Sequence, residues 1–236
     1  LHSVTAVFLP KLRAHVDLDL KIKANSNIGN HITQVAQSGS LRLRDLSYEQ
    51  EGLQVTHKAL AWNGSVNLAL AGNKLTSLVT SGELKLAELD LLQGQDGVQI
   101  DDLRLHSNVS LKNLNQIQIS GLQVDANRLK LSQGRQQVKI AKVGLEGSVQ
   151  SKDMKIWQAE IPGLSLLNID LSVAGQKLIS LAELNLSSLQ AKHTEHISFS
   201  EANVKQLAVQ GDGGVFTQWG TIGVQGVVFN QLNDLS

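Results

Sequence analysis

LKLAELDL, residues 84–91, places its apolar side chains first, third, sixth and eighth. A strand alternates with period two and a helix with period about 3.6. The octet follows neither throughout. It reads as two alternating pairs with one extra residue between them. An extra residue of this kind suits a β-bulge or corner, where it resets the alternation. With the reset, Leu84, Leu86, Leu89 and Leu91 all point to one face of a sheet; without it, the two halves face opposite ways.

The pattern recurs as LRLRDLSY (41–48), VQIDDLRL (98–105), IQISGLQV (117–124), VKIAKVGL (138–145), LSLLNIDL (164–171) and ISLAELNL (179–186). ISFSEANV (197–204) and IGVQGVVF (222–229) are looser copies, and residues 53–60 form a degenerate tenth. The middle pair is polar or small in most copies. The reading is a sheet with one face of Leu, Ile and Val. The other face carries Arg42, Lys85, Gln99, Gln123 and Lys139. Val16 to Ile22 alternates cleanly and predicts a further strand, while Ile28 to Gln37 reads as a loop or short helix.

Asn63-Gly64 and Asp96-Gly97 are tight-turn signals. Gly72-Asn73, Gly134 and the run Gly211 to Gly214 punctuate elsewhere. Gly39, Gly82, Gly121 and Gly163 recur at roughly 40-residue spacing, and each interval is expected to hold two or three strands of a repeated meander. L-x-x-L-x-L also occurs in leucine-rich repeats, whose period is fixed at 20 to 29 residues. Here successive octets begin 43, 14, 19, 21, 26, 15, 18 and 25 residues apart, which argues against a horseshoe. A parallel β-helix, or β-solenoid, tolerates irregular coils and stays as the rival to the twisted, elongated, largely antiparallel sheet.

The chain has 236 residues and is 42% hydrophobic, enough to fold, yet only 3% aromatic. Its 21 basic residues balance 21 acidic ones and form no block, unlike the cationic surface of a nucleic-acid binder. With no cysteine, disulfides, thiolate–metal sites and thiol catalysis are excluded. No stretch reaches the roughly 20 apolar residues of a membrane-spanning helix. The whole of 1–236 reads as one repetitive β domain. Beginning Leu1-His2-Ser3 rather than with Met, it is expected to be a piece of a longer protein.

A large aliphatic side chain gains roughly 1.5 to 3 kcal/mol on full burial. Nine octets left wet would forfeit far more than the roughly 5 to 15 kcal/mol by which a domain is stable. A second sheet, the same sheet curled on itself, or an apolar ligand must therefore cover the face. The Leu-rich, aromatic-poor lining is smooth and could form a trough for acyl chains, whereas sandwich cores carry more aromatic anchors; the pattern alone favours an ordinary protein core over a lipid groove.

Gly82 to Leu91 followed by Val98 to Leu105, and Gly39 to Leu46 followed by Ala59 to Ser65, resemble the AsmA-like proteins of Gram-negative bacteria. The closest likeness is to their DUF748 subgroup of large envelope proteins. The resemblance covers most of residues 16 to 210 as rhythm, not as a diagnostic motif. It implies a periplasmic β-rich region anchored to the inner membrane by a helix outside this chain. It also implies a hydrophobic groove that conducts lipid between membranes and helps maintain the outer membrane. The expected groove lining is Leu84, Leu86, Leu89, Leu91, Leu103, Leu105, Val124, Ile140 and Leu171. The expected partner is phospholipid or another acyl lipid, with no nucleic acid, metal or cofactor. A structural or adhesive module that binds protein partners is the alternative.

No catalytic set converges in the sequence. His193-Thr-Glu-His196 is the most metal-like cluster, but it lacks the H-E-x-x-H spacing of a helical zinc site and reads as a solvated loop. Asp101-Asp102 sits in an octet's insertion and reads as a bulge. Gly211 to Gly214 lacks the phosphate-loop pattern, and no G-x-S-x-G elbow occurs. Trp62, Trp157 and Trp219 read as core or rim anchors.

Overall fold

In a computed structural model of the protein, residues 13–27, 32–72, 74–152, 156–193, 196–211 and 214–230 are described. All their regular structure is β-strand: β1 Arg13–Asn27, β2 Ile32–Gln50, β3 Leu53–Ala71, β4 Lys74–Gln93, β5 Asp96–Lys112 and β6 Gln116–Gln133. Then come β7 Gln136–Lys152, β8 Ile156–Val173, β9 Gln176–Lys192, β10 His196–Gly211 and β11 Gly214–Asn230. They form one eleven-stranded sheet in chain order, every neighbour antiparallel. The sheet is open, not closed into a barrel. The elongated antiparallel meander of the sequence reading is the fold, and the parallel β-helix is overturned: each strand runs antiparallel beside its predecessor.

The strands are 15 to 20 residues long, where 3 to 10 is usual. At about 3.3 Å per residue they reach roughly 50 to 65 Å. This corrects several local expectations. Asn63-Gly64 is not a turn; it lies inside β3, paired with Ser40 and Gly39 on one side and Glu83 and Gly82 on the other. Asp96-Gly97 opens β5, and the turn falls at Gly94-Gln95. Ile32 to Gln37 is strand, not loop or helix, while residues 28–31 lie outside the described residues. The 40-residue glycine period spans two strands, one out and one back. At Glu51-Gly52 and Ala174-Gly175 both turn residues have positive φ, the backbone of a turn that matches strand twist.

The extra residue of each octet is present, but it does not make a two-against-one bulge. Asp45, Lys58, Glu88, Asp101, Arg128, Ala141, Asn168, Ala182, Gln206 and Gly220 stand in one line across β2 to β11. The residues on either side of this line keep one register: Arg44 pairs with Ala59 and Leu46 with His57, Ala87 with Asp102 and Leu89 with Ile100. Every strand in the line carries the insertion at the same level, so all ten change alternation together. The result is a crease. On the even strands its residues take φ near +50°: Asp45, Glu88, Arg128, Asn168 and Gln206. Their odd-strand partners do not. Antiparallel order explains this alternation, because the fifth place of an octet on one strand faces the fourth place of an octet on the next.

A second line bends the sheet nearer one end of the strands. In β8 to β11 it is another matched crease, through Pro162, Ser188 (φ 52°), Ser200 and Gly226 (φ 66°). In β6 it is a true bulge at Gly121 (φ 58°), where the register shifts against both neighbours. In β2 to β4 it is a row of glycines in register, Gly39, Gly64 and Gly82. A Cβ on Gly64 would meet the Ser81 carbonyl oxygen at 2.3 Å and the Trp62 ring at 2.8 Å. Glycine is needed there because backbones approach and the indole lies over them.

Candidate functional site

The crease sorts the octets into four rows that cross ten strands side by side. The first runs from Leu41 through Trp62, Leu84, Leu105 and Val124 to Val224. The second runs from Leu43 through Leu86, Leu103 and Ala126 to Ile222. Beyond the crease, the third runs from Leu46 through Leu89, Ile100 and Ile140 to Trp219, and the fourth from Tyr48 through Leu91 and Leu171 to Thr217. All nine residues expected to line the groove stand in these rows. Leu84, Leu105 and Val124 share the first, Leu86 and Leu103 the second, Leu89 and Ile140 the third, Leu91 and Leu171 the fourth.

Polar contacts fix the faces on the two sides of the crease. Asp45, on the crease, lies 3.7 Å from His15, which pairs with Arg44 opposite the apolar side of the second row. Arg128 and Asp101, ion-paired on the crease, border one depression with Gln99 and Lys130, the polar neighbours of the third and fourth rows. The crease side chains thus lie with the polar residues of both halves, which places all four apolar rows on the other face. The alternation reset required by LKLAELDL is present.

The apolar face has no second layer among the described residues. No large side chain is fully buried; the buried residues are His57, Gly97, Ala126 and Ala202. The nine lining residues are all half-buried, covered by their lateral neighbours alone. The chain's accessible surface is 15492 Å², against about 10,400 Å² for a compact monomer of its mass. The sheet supplies neither partner sheet nor curled-over cover.

His57 is the ionisable member of the third row, paired with Leu46. Its side chain is almost covered, and neither ring nitrogen has a hydrogen-bond partner. Burial holds its pKa below the ordinary 6.5, and the charge of Asp45 partly offsets this. The sheet is one layer thick, so the ring is only partly desolvated.

The polar face is a lattice of exposed ion pairs: Lys58–Glu88 at 2.7 Å, Lys205–Glu183 at 2.8 Å and Lys85–Glu83 at 2.8 Å. A hydrogen bond to Glu88 raises the Lys58 ammonium pKa, and hydrogen bonds from Lys85 and Lys205 lower those of Glu83 and Glu183. Such pairs are structural neighbours and bring no nucleophile beside a base. The depressions on this face are shallow and open; one lies among Asp19, Arg42, Asn63 and Lys85. Asp101 of the Asp101-Asp102 pair is a crease residue bound to Arg128. Among the described residues no group of His, Asp or Glu has metal-site geometry. Residues 194 and 195 lie outside them; His193 stacks on Trp157 at 6.4 Å, which makes that tryptophan a rim residue.

Three octets escaped the sequence reading: VDANRLKL (124–131), ANVKQLAV (202–209) and TQWGTIGV (217–224). The degenerate copy in β3 is VTHKALAW, 55–62, two residues from the expected frame. The signal that finds them is the line of fourth and fifth places. IQISGLQV, ISFSEANV and IGVQGVVF belong to the second bend instead. No family model, curated protein or solved structure matches this chain.

Proposed function

We propose that this chain is a non-enzymatic module of the Gram-negative cell envelope that shields or conducts lipid acyl chains on its apolar face. The observation that carries the reading is the band of four apolar rows that runs across ten strands, uncovered among the described residues. At about 4.8 Å per strand the band is roughly 43 Å long. One acyl chain spans about half of the roughly 30 Å hydrocarbon core of a bilayer, so several fit side by side. An exposed apolar area beyond a few hundred Å² marks an interaction surface. Aliphatic rows offer non-directional contact, which lets a chain slide rather than lock.

The resemblance of the octets to AsmA-like proteins supports the same reading. It carries a periplasmic location, an inner-membrane anchor outside this chain and a part in outer-membrane maintenance. Native mass spectrometry of protein purified from a bacterial periplasm tests it. Phospholipid should co-purify and be lost from Val124→Asp, which sets a carboxylate mid-band in the first row. Protein that folds with no lipid bound, and takes none from vesicles, leaves the structural module ahead.

A further inference from the structure

The four apolar rows are not uniform along the band. From β4 to β10 every place in them is Leu, Ile, Val or Ala. The members with a polar tip stand at its ends: Tyr48 on β2, His57 and Trp62 on β3, Thr217 and Trp219 on β11. His57 differs from the others. It is 7% exposed, and neither ring nitrogen has a hydrogen-bond partner. A buried donor left unmade is costly and calls for a partner.

We propose that His57 is the polar anchor of the band: its ring N–H donates to an ester carbonyl of an acyl lipid, whose chain then crosses β4, β5 and β6. This rests on the acyl-lipid reading above and adds where the lipid's polar end lies. Burial pushes the His57 pKa below 6.5, with Asp45 partly offsetting it. The ring is therefore neutral at neutral pH and offers one N–H. The charges around it favour a neutral partner. Asp45 on β2 and Glu88 on β4 are carboxylates of the crease. Arg44 on β2 is taken by Asp17, and Lys58 on His57's own strand by Glu88. Both neighbouring cations are engaged, and Asp45 repels an anion. A carbonyl oxygen asks only for the N–H.

The row beyond His57 fits the chain. Its next places are Leu89 on β4, Ile100 on β5 and Leu129 on β6. Neighbouring strands stand about 4.8 Å apart, and one acyl chain reaches about half of the roughly 30 Å core of a bilayer. A chain whose carbonyl sits at β3 therefore ends over β6, on aliphatic side chains throughout. On the β2 side, the Tyr48 hydroxyl and the Gln50 amide are hydrogen-bonded to each other and offer polar atoms where a headgroup would lie. The indole of Trp62 and the phenol of Tyr48 are amphipathic, as residues at such a boundary are. The second side-chain torsion of histidine is broad, so the ring turns a nitrogen outward to meet the carbonyl. The imidazole is then satisfied only when the lipid is seated.

The test offers the whole chain vesicles of dipalmitoyl phosphatidylethanolamine or of its dialkyl ether analogue, which lacks both carbonyls. The ester lipid should bind roughly threefold to tenfold more tightly than the ether. His57→Leu should bind both, with the ester's advantage gone. His57→Gln keeps a side-chain N–H and should retain part of it. Circular dichroism checks the fold of each variant. In the parent, the imidazole nitrogen NMR resonances of His57 should move with the ester lipid and stay with the ether, a readout that needs no variant. Equal binding of ester and ether by the parent, or an ester advantage that survives His57→Leu, would overturn the anchor and leave the acyl-lipid reading standing. Palmitate bound more tightly than methyl palmitate would also overturn it, because the partner would be a carboxylate. Binding of neither phospholipid would overturn both.

Discussion

The first crease is built from different residues in the two halves of the sheet. From β2 to β6 it carries Asp45, Lys58, Glu88, Asp101 and Arg128, linked by the Lys58–Glu88 and Arg128–Asp101 ion pairs. From β7 to β11 it carries Ala141, Asn168, Ala182, Gln206 and Gly220, with no charge at all. Yet the register and the alternating positive φ are the same in both halves. The bend therefore does not come from the ion pairs. It comes from the demand that all four apolar rows share one face, which every strand can meet only by spending one residue at the same level. Charge in the N-terminal half decorates a backbone feature that Ala, Asn and Gly hold equally well in the other.

Deleting a crease residue strains this comparison most. Loss of Glu88 turns Leu89 and Leu91 toward the polar face or forces bulges against β3 and β5. Loss of Asn168 does the same to Ile169 and Leu171. These side chains are half-buried, and full burial is worth about 1.5 to 3 kcal/mol each, so either deletion should cost roughly 2 to 3 kcal/mol in urea unfolding. Equal losses keep the crease a matter of pattern. A much larger loss at Glu88 would return it to electrostatics.

His57 marks the next difference, since Leu181 and Leu207 hold third-row places in the C-terminal half. His57→Leu makes the two halves alike. It removes buried, unpaired ring nitrogens, a cost of about 1 to 3 kcal/mol, and should raise stability. The pKa of His57 is lower folded than unfolded. The neutral ring's contribution is thus present above pH 6.5 and lost as pH falls through the lower folded value. Leu46, Leu89 and the charge of Asp45 surround it. The advantage of His57→Leu should therefore grow as pH drops below 6.5. An advantage constant with pH would mean the ring titrates as it does unfolded.

The smallest effect tests the alternation itself. Gln206 and Ala182 face each other across the crease, but Gln206 alone has positive φ. Gln206→Gly relieves a left-handed conformation worth about 1 to 2 kcal/mol against the roughly 0.5 to 1 kcal/mol that glycine costs in a strand. It should stabilise slightly, while Ala182→Gly should destabilise by about 0.5 to 1 kcal/mol. Thermal unfolding of the two variants should move in opposite directions, and the same sign for both would show that the two sides of the crease are equivalent.

The strands and the reset were legible because alternation is local: each octet states its own faces in eight residues. Leu84, Leu86, Leu89 and Leu91 could be assigned to one side before any partner strand was known. Asn63-Gly64 misled for the same reason. Its turn signal is local too, but eighteen ladder pairs with β2 hold it in a strand, and the close backbone of Gly82 demands glycine there. Octets 124–131 and 202–209 were missed because Ala126 and Ala202 are weak apolar signals alone and become clear only in their rows.

Local patterning is enough to specify strands with one Leu-rich face and one extra residue in each octet. Those properties belong to neighbours along the chain, where sterics and side-chain alternation act. The alignment of the extra residues into a crease, and the four rows unbroken across ten strands, arise only when the strands pair. The lack of a second layer over them, among the described residues, also belongs to the folded sheet. These depend on lateral register and on what stands opposite each face, and a hydrogen-bond ladder fixes both between residues far apart in the chain.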